Sequence, residues 1–244
     1  MKAFILAAGL GTRLRPITNE IPKALVKING TPLIEHVIKR LKNSGCDKFI
    51  INLYHYADKV IKFLASKNYL ESDITISDES EQLLDTGGGL KKISWFFSPG
   101  ESFIVHNVDI ITDFDITELY RNHLSSGKTA TLAVQKRESS RYFLFDEEKN
   151  LCGWENIKTD EQKITRKPVG NLEQYAFSGI HCADSRIFKY FPEGNVFSLV
   201  DLFLKAASQE KITFFDHTNS NFLDVGKKEN IAKAEELLKN RNIF

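Results

Sequence analysis

Charge of one sign is what this sequence most plainly lacks: 33 Lys and Arg stand against 32 Asp and Glu, a formal net charge of +1 over 244 residues. No chain-wide field is therefore available to hold a nucleic acid or an anionic membrane, and only a local basic site remains open. Long apolar runs are missing too, since none reaches the roughly 20 residues that span a bilayer. The first residues lead straight into a core-like strand without a basic start, apolar stretch and cleavage site, so no secretory leader is expected. Cysteine is scarce: Cys46, Cys152 and Cys182 lie far apart and show no CxxC spacing. That usage fits a reducing compartment and sets the expectation of a cytoplasmic protein. The six histidines form no HxH or HxxxH pattern, so zinc is not expected. Neither an internal repeat nor a linker rich in Gly, Ser or Pro is visible. What is present is ordinary core material, 42% hydrophobic residues with 18 Phe, enough for one large domain or one domain with an embedded lobe.

Along the chain, strands and helices alternate over the first half. Residues 2–8 form a nearly continuous apolar run, as in a strand covered on both faces. Thr31 and Pro32 are expected to cap a helix whose apolar face is Leu33, Ile34, Val37, Ile38 and Leu41, with Gly45 as its stop. Strands are predicted at 48–53, 74–77, 102–108 and 129–135, and helices at 57–66, 87–97 and 116–125, the last opened by an Asp115/Glu118 capping box. This alternation predicts an α/β fold with a mostly parallel sheet flanked by helices. After residue 135 the pattern becomes mixed. A hairpin over 141–153 turns at 147–150, strands follow at 163–165, 174–182 and 211–215, a helix lies at 199–208, and a last helix over 227–240. That region reads as a partly antiparallel lobe on the same sheet.

Three segments carry chemistry. The loop Gly9 to Pro16, GLGTRLRP, follows the first strand and is followed by IPKALV with Lys23. Backbone N–H groups of such a loop form an anion nest, and Arg13 and Arg15 can grip phosphate oxygens. It is neither a P-loop nor a dinucleotide fingerprint. The run EQLLDTGGG, Glu81 to Gly89, places three glycines at a helix start, a poor choice for helix stability alone and better explained by close approach of a flat ligand. Asp109 follows the apolar strand SFIVHNV, at the end where open α/β sheets bind ligands. Asp224 lies in NFLDVGKKEN. His106 is expected to serve packing.

LAAGLGTRLRP followed by PKA resembles the signature of the nucleoside-diphosphate-sugar pyrophosphorylases, L-x-G/A-G-x-G-T-R-L-x-P…P-K-P, over essentially the whole chain. Ala24 stands where most members have a second proline. The resemblance implies a Rossmann-like, GT-A-like nucleotidyltransferase fold in one domain. Residues 1–135 would mainly bind nucleotide, 136–226 mainly the acceptor, and 227–244 would form a C-terminal helix. It further implies that Ala7, Ala8, Gly9, Gly11, Thr12, Arg13, Lys23, Gln82, Gly87 and Gly88 bind the nucleotide. Arg13 would hold the leaving pyrophosphate and Lys23 the α-phosphate. Asp109 and Asp224 match the family's Mg2+ pair, with Arg13, Lys23 and Asp109 as catalytic residues. Val108 replaces the usual glycine and narrows the space beside Asp109, and Lys227 follows DVG where threonine is common.

On the acceptor side the resemblance points to Asp109, Lys167, Tyr175 and Gly179. Arg166 stands where many relatives carry a sugar-binding glutamate, which suits an acidic acceptor; Arg137 or Arg141 are further counter-charges. The spelling LLDTGGG is most like that of the N-acetylmuramate-1-phosphate uridylyltransferases, which implies UTP, a sugar 1-phosphate and cell wall recycling. Guanylyl transfer to mannose or heptose 1-phosphate, cytidylyl transfer to phosphocholine, and a non-catalytic nucleotide-binding regulatory protein are the alternatives. A monomer or small homo-oligomer is expected.

Overall fold

The computed structural model describes residues 1–70 and 73–240. In chain order its first elements are β1 (Lys2–Leu6), β2 (Lys27–Ile28), β3 (Thr31–Pro32), α1 (Leu33–Asn43), β4 (Lys48–Leu53), α2 (Ala57–Ser66) and β5 (Ile74–Asp78). Then come α3 (Asp85–Lys92), β6 (Ser102–Asn107), β7 (Ile110–Thr112), α4 (Ile116–Ser126), β8 (Ala130–Gln135), β9 (Arg141–Phe145), β10 (Leu151–Asn156) and β11 (Glu161–Ile164). The last are β12 (Glu173–Asp184), α5 (Leu199–Ala207), β13 (Ile212–Asp216), β14 (Phe222–Asp224) and α6 (Asn230–Asn240). Parallel and antiparallel strands are mixed and flanked by helices, as the alternation of the first half and the mixed pattern after residue 135 together predict. Of the expected C-terminal helix over 227–244, residues 241–244 lie outside the described residues.

The chain divides into two compact units: residues 1–83, 105–116 and 220–244 form the first, and 84–104 with 117–219 the second. In the first unit β4 lies between β1 and β5, all parallel, with Phe4 opposite Ile50 and Ile51 opposite Ile76. β1 and β4 are buried along nearly their whole length, as strands covered on both faces are, whereas β5 carries Thr75, Ser77 and Asp78. The stripe Leu33, Ile34, Val37, Ile38 and Leu41 of α1 is wholly or almost wholly buried. Thr31 does not cap this helix. Its backbone pairs with Ile28 across a tight hairpin, and Pro32 takes the cap position without a side-chain bond. The reason is the Asn29-Gly30 turn, whose positive φ values of 48° and 79° are those of a type I′ hairpin turn. The strand β14 pairs with β7, Asp224 facing Ile110.

In the second unit β12 pairs antiparallel with β8 and β9, β13 runs parallel to β8, and β9, β10 and β11 form a meander. The hairpin expected over 141–153 is β9–β10. Phenylalanines fill the interior: Phe143 lies 5.8 Å from Phe177 and 6.0 Å from Phe203, ring centre to ring centre. Ser198 and Asp201 form a capping box at the start of α5. The helix expected over 87–97 begins earlier and breaks sooner, at Asp85–Lys92.

Buried histidines couple this fold to pH. Burial pushes His106 and His181 down to about 3 and His123 down to about 4. His106 thus packs as a neutral ring, as expected from its place on the strand. An unfolded imidazole titrates near ~6.5, so below that pH the unfolded chain binds protons that the native state refuses. Stability is fully present above ~6.5 and falls as pH drops toward 4, each of the three adding to the loss. Urea midpoints at pH 7.5, 6 and 5 check this; an unchanged midpoint would mean that these rings take up protons in the folded state.

Candidate active site

The first unit gathers the candidate residues around the carboxyl end of β1. Ala7 and Ala8 are buried where the chain leaves the sheet, and the loop then turns at Gly11, whose φ of 64° favours glycine. The Gly11 carbonyl accepts from Thr18 Oγ1 at 2.8 Å and from the Leu14 N–H at 2.9 Å. Leu14 is wholly buried and anchors the loop, while Arg13 and Arg15 on either side stay exposed. Thr12 opens the short 3-10 turn of residues 12–14. Another such turn begins at Lys23. There Ala24 fills a fully buried position, so the missing proline leaves the turn intact.

Two ion pairs close the site. Lys23 Nζ lies 3.0 Å from Asp109 Oδ2, and Arg13 Nη1 lies 3.1 Å from Asp224 Oδ2. The Lys23 ammonium passes 3.3 Å from where a Cβ on Gly9 would stand, so the glycine loop runs directly past it. Neighbouring groups hold both aspartates in place, one of them directly through a carboxylate oxygen. Val225 N–H donates to the Asp109 carbonyl at 2.8 Å, Gly226 N–H to Asp224 Oδ1 at 2.9 Å, and Asn230 Nδ2 to the Asp224 carbonyl at 2.8 Å. Burial pushes the Asp109 carboxyl up, but the charge and hydrogen bond of Lys23, its own backbone N–H and the charge of Arg13 outweigh that and hold it below the usual range. It is therefore an anion at neutral pH. Val108 is wholly buried and donates its N–H to the Leu6 carbonyl.

Gly226 also belongs to the site, although its place after Asp224-Val225 does not by itself mark it. A Cβ there would meet Asp109 Oδ2 at 2.6 Å, Asp224 Oδ1 at 2.7 Å and Arg13 Nη2 at 2.7 Å. Two carboxylate oxygens and a guanidinium thus converge on one point that only a hydrogen can share. Such a pair of hard oxygen donors suits a divalent cation of the Mg2+ type, which takes one or two protein carboxylates and fills its shell with phosphate and water. Among the described residues no group of three or more His, Cys, Asp or Glu is arranged to hold a metal.

The remaining candidates stand elsewhere. Gln82 is exposed in the first unit, its N–H closing a turn on the Glu79 carbonyl at 3.0 Å. Gly87 and Gly88 belong to the second unit, where the fold itself supplies a reason for them. A Cβ on Gly87 would stand 2.6 Å from the Phe197 ring, and one on Gly88 would collide with the Asn195 carbonyl. Both N–H groups donate to the Phe197 carbonyl, at 3.0 and 3.1 Å. A flat ligand is not required to account for these two glycines.

Gly179 has a φ of 71° and sits where the β12–β8 register shifts. Its backbone needs glycine whether or not an acceptor lies near. Tyr175 packs 4.5 Å from Phe214 and gives its hydroxyl to Glu173 at 3.0 Å, so its ring is core. Arg166 is half-buried and Lys167 exposed.

Known proteins share this arrangement of sequence. An N-acetylmuramate alpha-1-phosphate uridylyltransferase of Caulobacter vibrioides is 30% identical over 217 residues, 86% of this chain and 86% of that protein. Mannose-1-phosphate guanylyltransferase 1 of Arabidopsis thaliana is 37% identical over 145 residues, 58% of this chain and 40% of that one. The crystal structure of HddC from Yersinia pseudotuberculosis superposes with a TM-score of 0.76 at 25% identity, covering 97% of this chain and 99% of that one. Residues 2–241 match the nucleotidyl transferase family. With the glycine loop, Lys23 and the two carboxylates brought to one end of β1, the chain belongs to that family of enzymes, the nucleotidyl transferases.

Proposed function

We propose that this is a cytoplasmic, Mg2+-dependent sugar-1-phosphate nucleotidyltransferase that joins UTP and N-acetylmuramate 1-phosphate, releasing pyrophosphate, in the recycling of cell wall sugars. The observation that carries the reaction class is the cluster of Lys23, Arg13, Asp109 and Asp224 around Gly226. The spelling LLDTGGG and the Caulobacter relative favour the uridylyl reading.

The reaction is in-line attack by a phosphate oxygen of the acceptor on the α-phosphorus of the nucleotide. A phosphomonoester has its second pKa near ~6 and is already largely dianionic at neutral pH. No general base is needed. The protein's task is to bring two repelling anions into line and to neutralise charge on the transferring phosphoryl group. Lys23 would neutralise the α-phosphate and Arg13 the departing pyrophosphate, each giving up its carboxylate partner to do so. Asp109 and Asp224 would hold Mg2+, which when bound supplies further neutralisation of phosphate oxygens. Lys167 and Arg166 are the proposed contacts for the acceptor's phosphate and its acidic substituent.

A second reading, guanylyl transfer to mannose 1-phosphate, is favoured by the 37% identity to the Arabidopsis enzyme over 145 residues. Pyrophosphate release with Mg2+ over a grid of UTP, GTP, CTP, ATP and dTTP against sugar 1-phosphates and phosphocholine separates the two. The expected result is strong release only with UTP and N-acetylmuramate 1-phosphate. Release with GTP and mannose 1-phosphate would transfer the assignment, and nucleotide binding with no release in any cell of the grid would refute the catalytic reading.

A further inference from the structure

The Ala7–Gly11 loop leaves the sheet beside two buried polar side chains that the mechanism above does not use. Leu6 is the last residue of β1 in register with β4, opposite Asn52. One residue further on, the Ala7 N–H donates to the Asn52 side chain, Oδ1, at 2.8 Å. A side chain thus takes over from the backbone ladder at the point where the loop begins. The other end of the same amide, Nδ2, donates to Glu79 Oε1 at 2.7 Å. The orientation of Asn52 follows from chemistry, since a backbone N–H can only donate and so requires the amide oxygen. Asn52 is 2% and Glu79 1% exposed.

Glu79 is in turn tied down. It follows β5 directly, its N–H donates to the Leu53 carbonyl at 2.8 Å, and its carbonyl accepts from the Gln82 N–H at 3.0 Å. A buried carboxylate and amide are a costly way to end two strands, which apolar residues would do as well for stability alone. What they add is direction: the chain Glu79–Asn52–Ala7 fixes the peptide planes from which the following N–H groups are presented.

We infer that Asn52 and Glu79 are positioning residues for nucleotide binding, acting through the Ala7 N–H on the phosphate-binding loop. The inference rests on the function proposed above for that loop. Neither residue touches the nucleotide. Their effect falls on ground-state affinity, because the loop they aim serves the nucleotide before and during transfer alike.

The test reverses the polarity of the relay. Asn52→Asp keeps an acceptor for Ala7 but removes the donor to Glu79 and sets two carboxylates against each other. Glu79→Gln in the same chain returns a donor in the opposite sense. Calorimetric titration of UTP and GTP with Mg2+, turnover, thermal melting and hydrogen exchange of the Ala7 amide are measured for wild type, N52D and N52D/E79Q. The expected result is a dissociation constant raised at least about tenfold in N52D, kcat changed far less, and faster exchange at Ala7. The double variant returns all of these toward wild type.

An unchanged dissociation constant in N52D overturns the inference. So does a double variant that recovers its melting temperature without recovering affinity, since that is the pattern of a merely structural pair. If wild type itself bound no nucleotide, the proposed function would fall separately. The relay would then be upheld or refuted by whether exchange at Ala7 rises in N52D and returns in the double variant.

Discussion

Asp109→Asn is expected to lower turnover by about 10²–10³-fold. Asparagine keeps an oxygen that can accept from Lys23, so the geometry of the pair at 3.0 Å survives. The negative charge does not. It is this charge that would draw in the metal and that balances Lys23 before substrate arrives. The two carboxylates differ in what else they support. Asp109 and Lys23 are nearly enclosed, with side chains 7% and 14% exposed, whereas Asp224 and Arg13 are 26% and 56% exposed. Neutralising Asp109 leaves a lysine charge in a poorly hydrated place and costs about 1–3 kcal/mol of stability. Asp224→Asn removes a more open pair and costs no more than about 1 kcal/mol. The expected pattern is therefore two inactive variants of which only D109N melts appreciably lower. Pyrophosphate release and thermal melts on both variants check it; full activity of D109N with Mg2+ would sink the metal assignment.

Gly226→Ala is expected to cost about 10²-fold in kcat/KM, although it adds a single methyl group. Gly226 needs no left-handed backbone, being absent from the positive-φ glycines. Alanine is thus allowed by the main chain, and the cost falls on its neighbours. The new Cβ would press on Asp109 Oδ2, Asp224 Oδ1 and Arg13 Nη2, all at 2.7 Å or less. These are side-chain tips, able to move by a few tenths of an ångström with little loss of stability. Movement of the tips is what the chemistry cannot tolerate, since metal and phosphate ligation depend on where those atoms stand. Weaker Mn2+ binding by calorimetry should accompany the kinetic loss, with the melting temperature nearly unchanged. Wild-type metal affinity in G226A would show that the point of convergence is not the metal site.

Local patterns in the chain were sufficient for most elements. The apolar run at 48–53 is a strand and the amphipathic stretch at 57–66 a helix at the same bounds in the fold, because a covered strand and a one-faced helix leave their period in the sequence. The glycine loop and Lys23 were legible for the same reason, lying within a short span whose turn residues and basic side chains read together. Asn29-Gly30 was equally legible as a hairpin turn, yet Thr31-Pro32 has the spelling of a helix cap, and the nearer signal prevailed.

What only the tertiary structure decided are the partners of those residues. Lys23 meets Asp109 from 86 positions away and Arg13 meets Asp224 from 211. Periodicity carries no information over such distances; the order in which strands pair brings β7 and β14 together and sets both carboxylates beside the loop. The same holds for Gly87 and Gly88, whose need for glycine comes from the Phe197 ring and from backbone at 195 and 198, and for Asn52 and Glu79, two unremarkable polar letters until folding buries them against Ala7. A sequence shows which side chains can do chemistry, while burial and long-range pairing decide which of them are held still enough to do it.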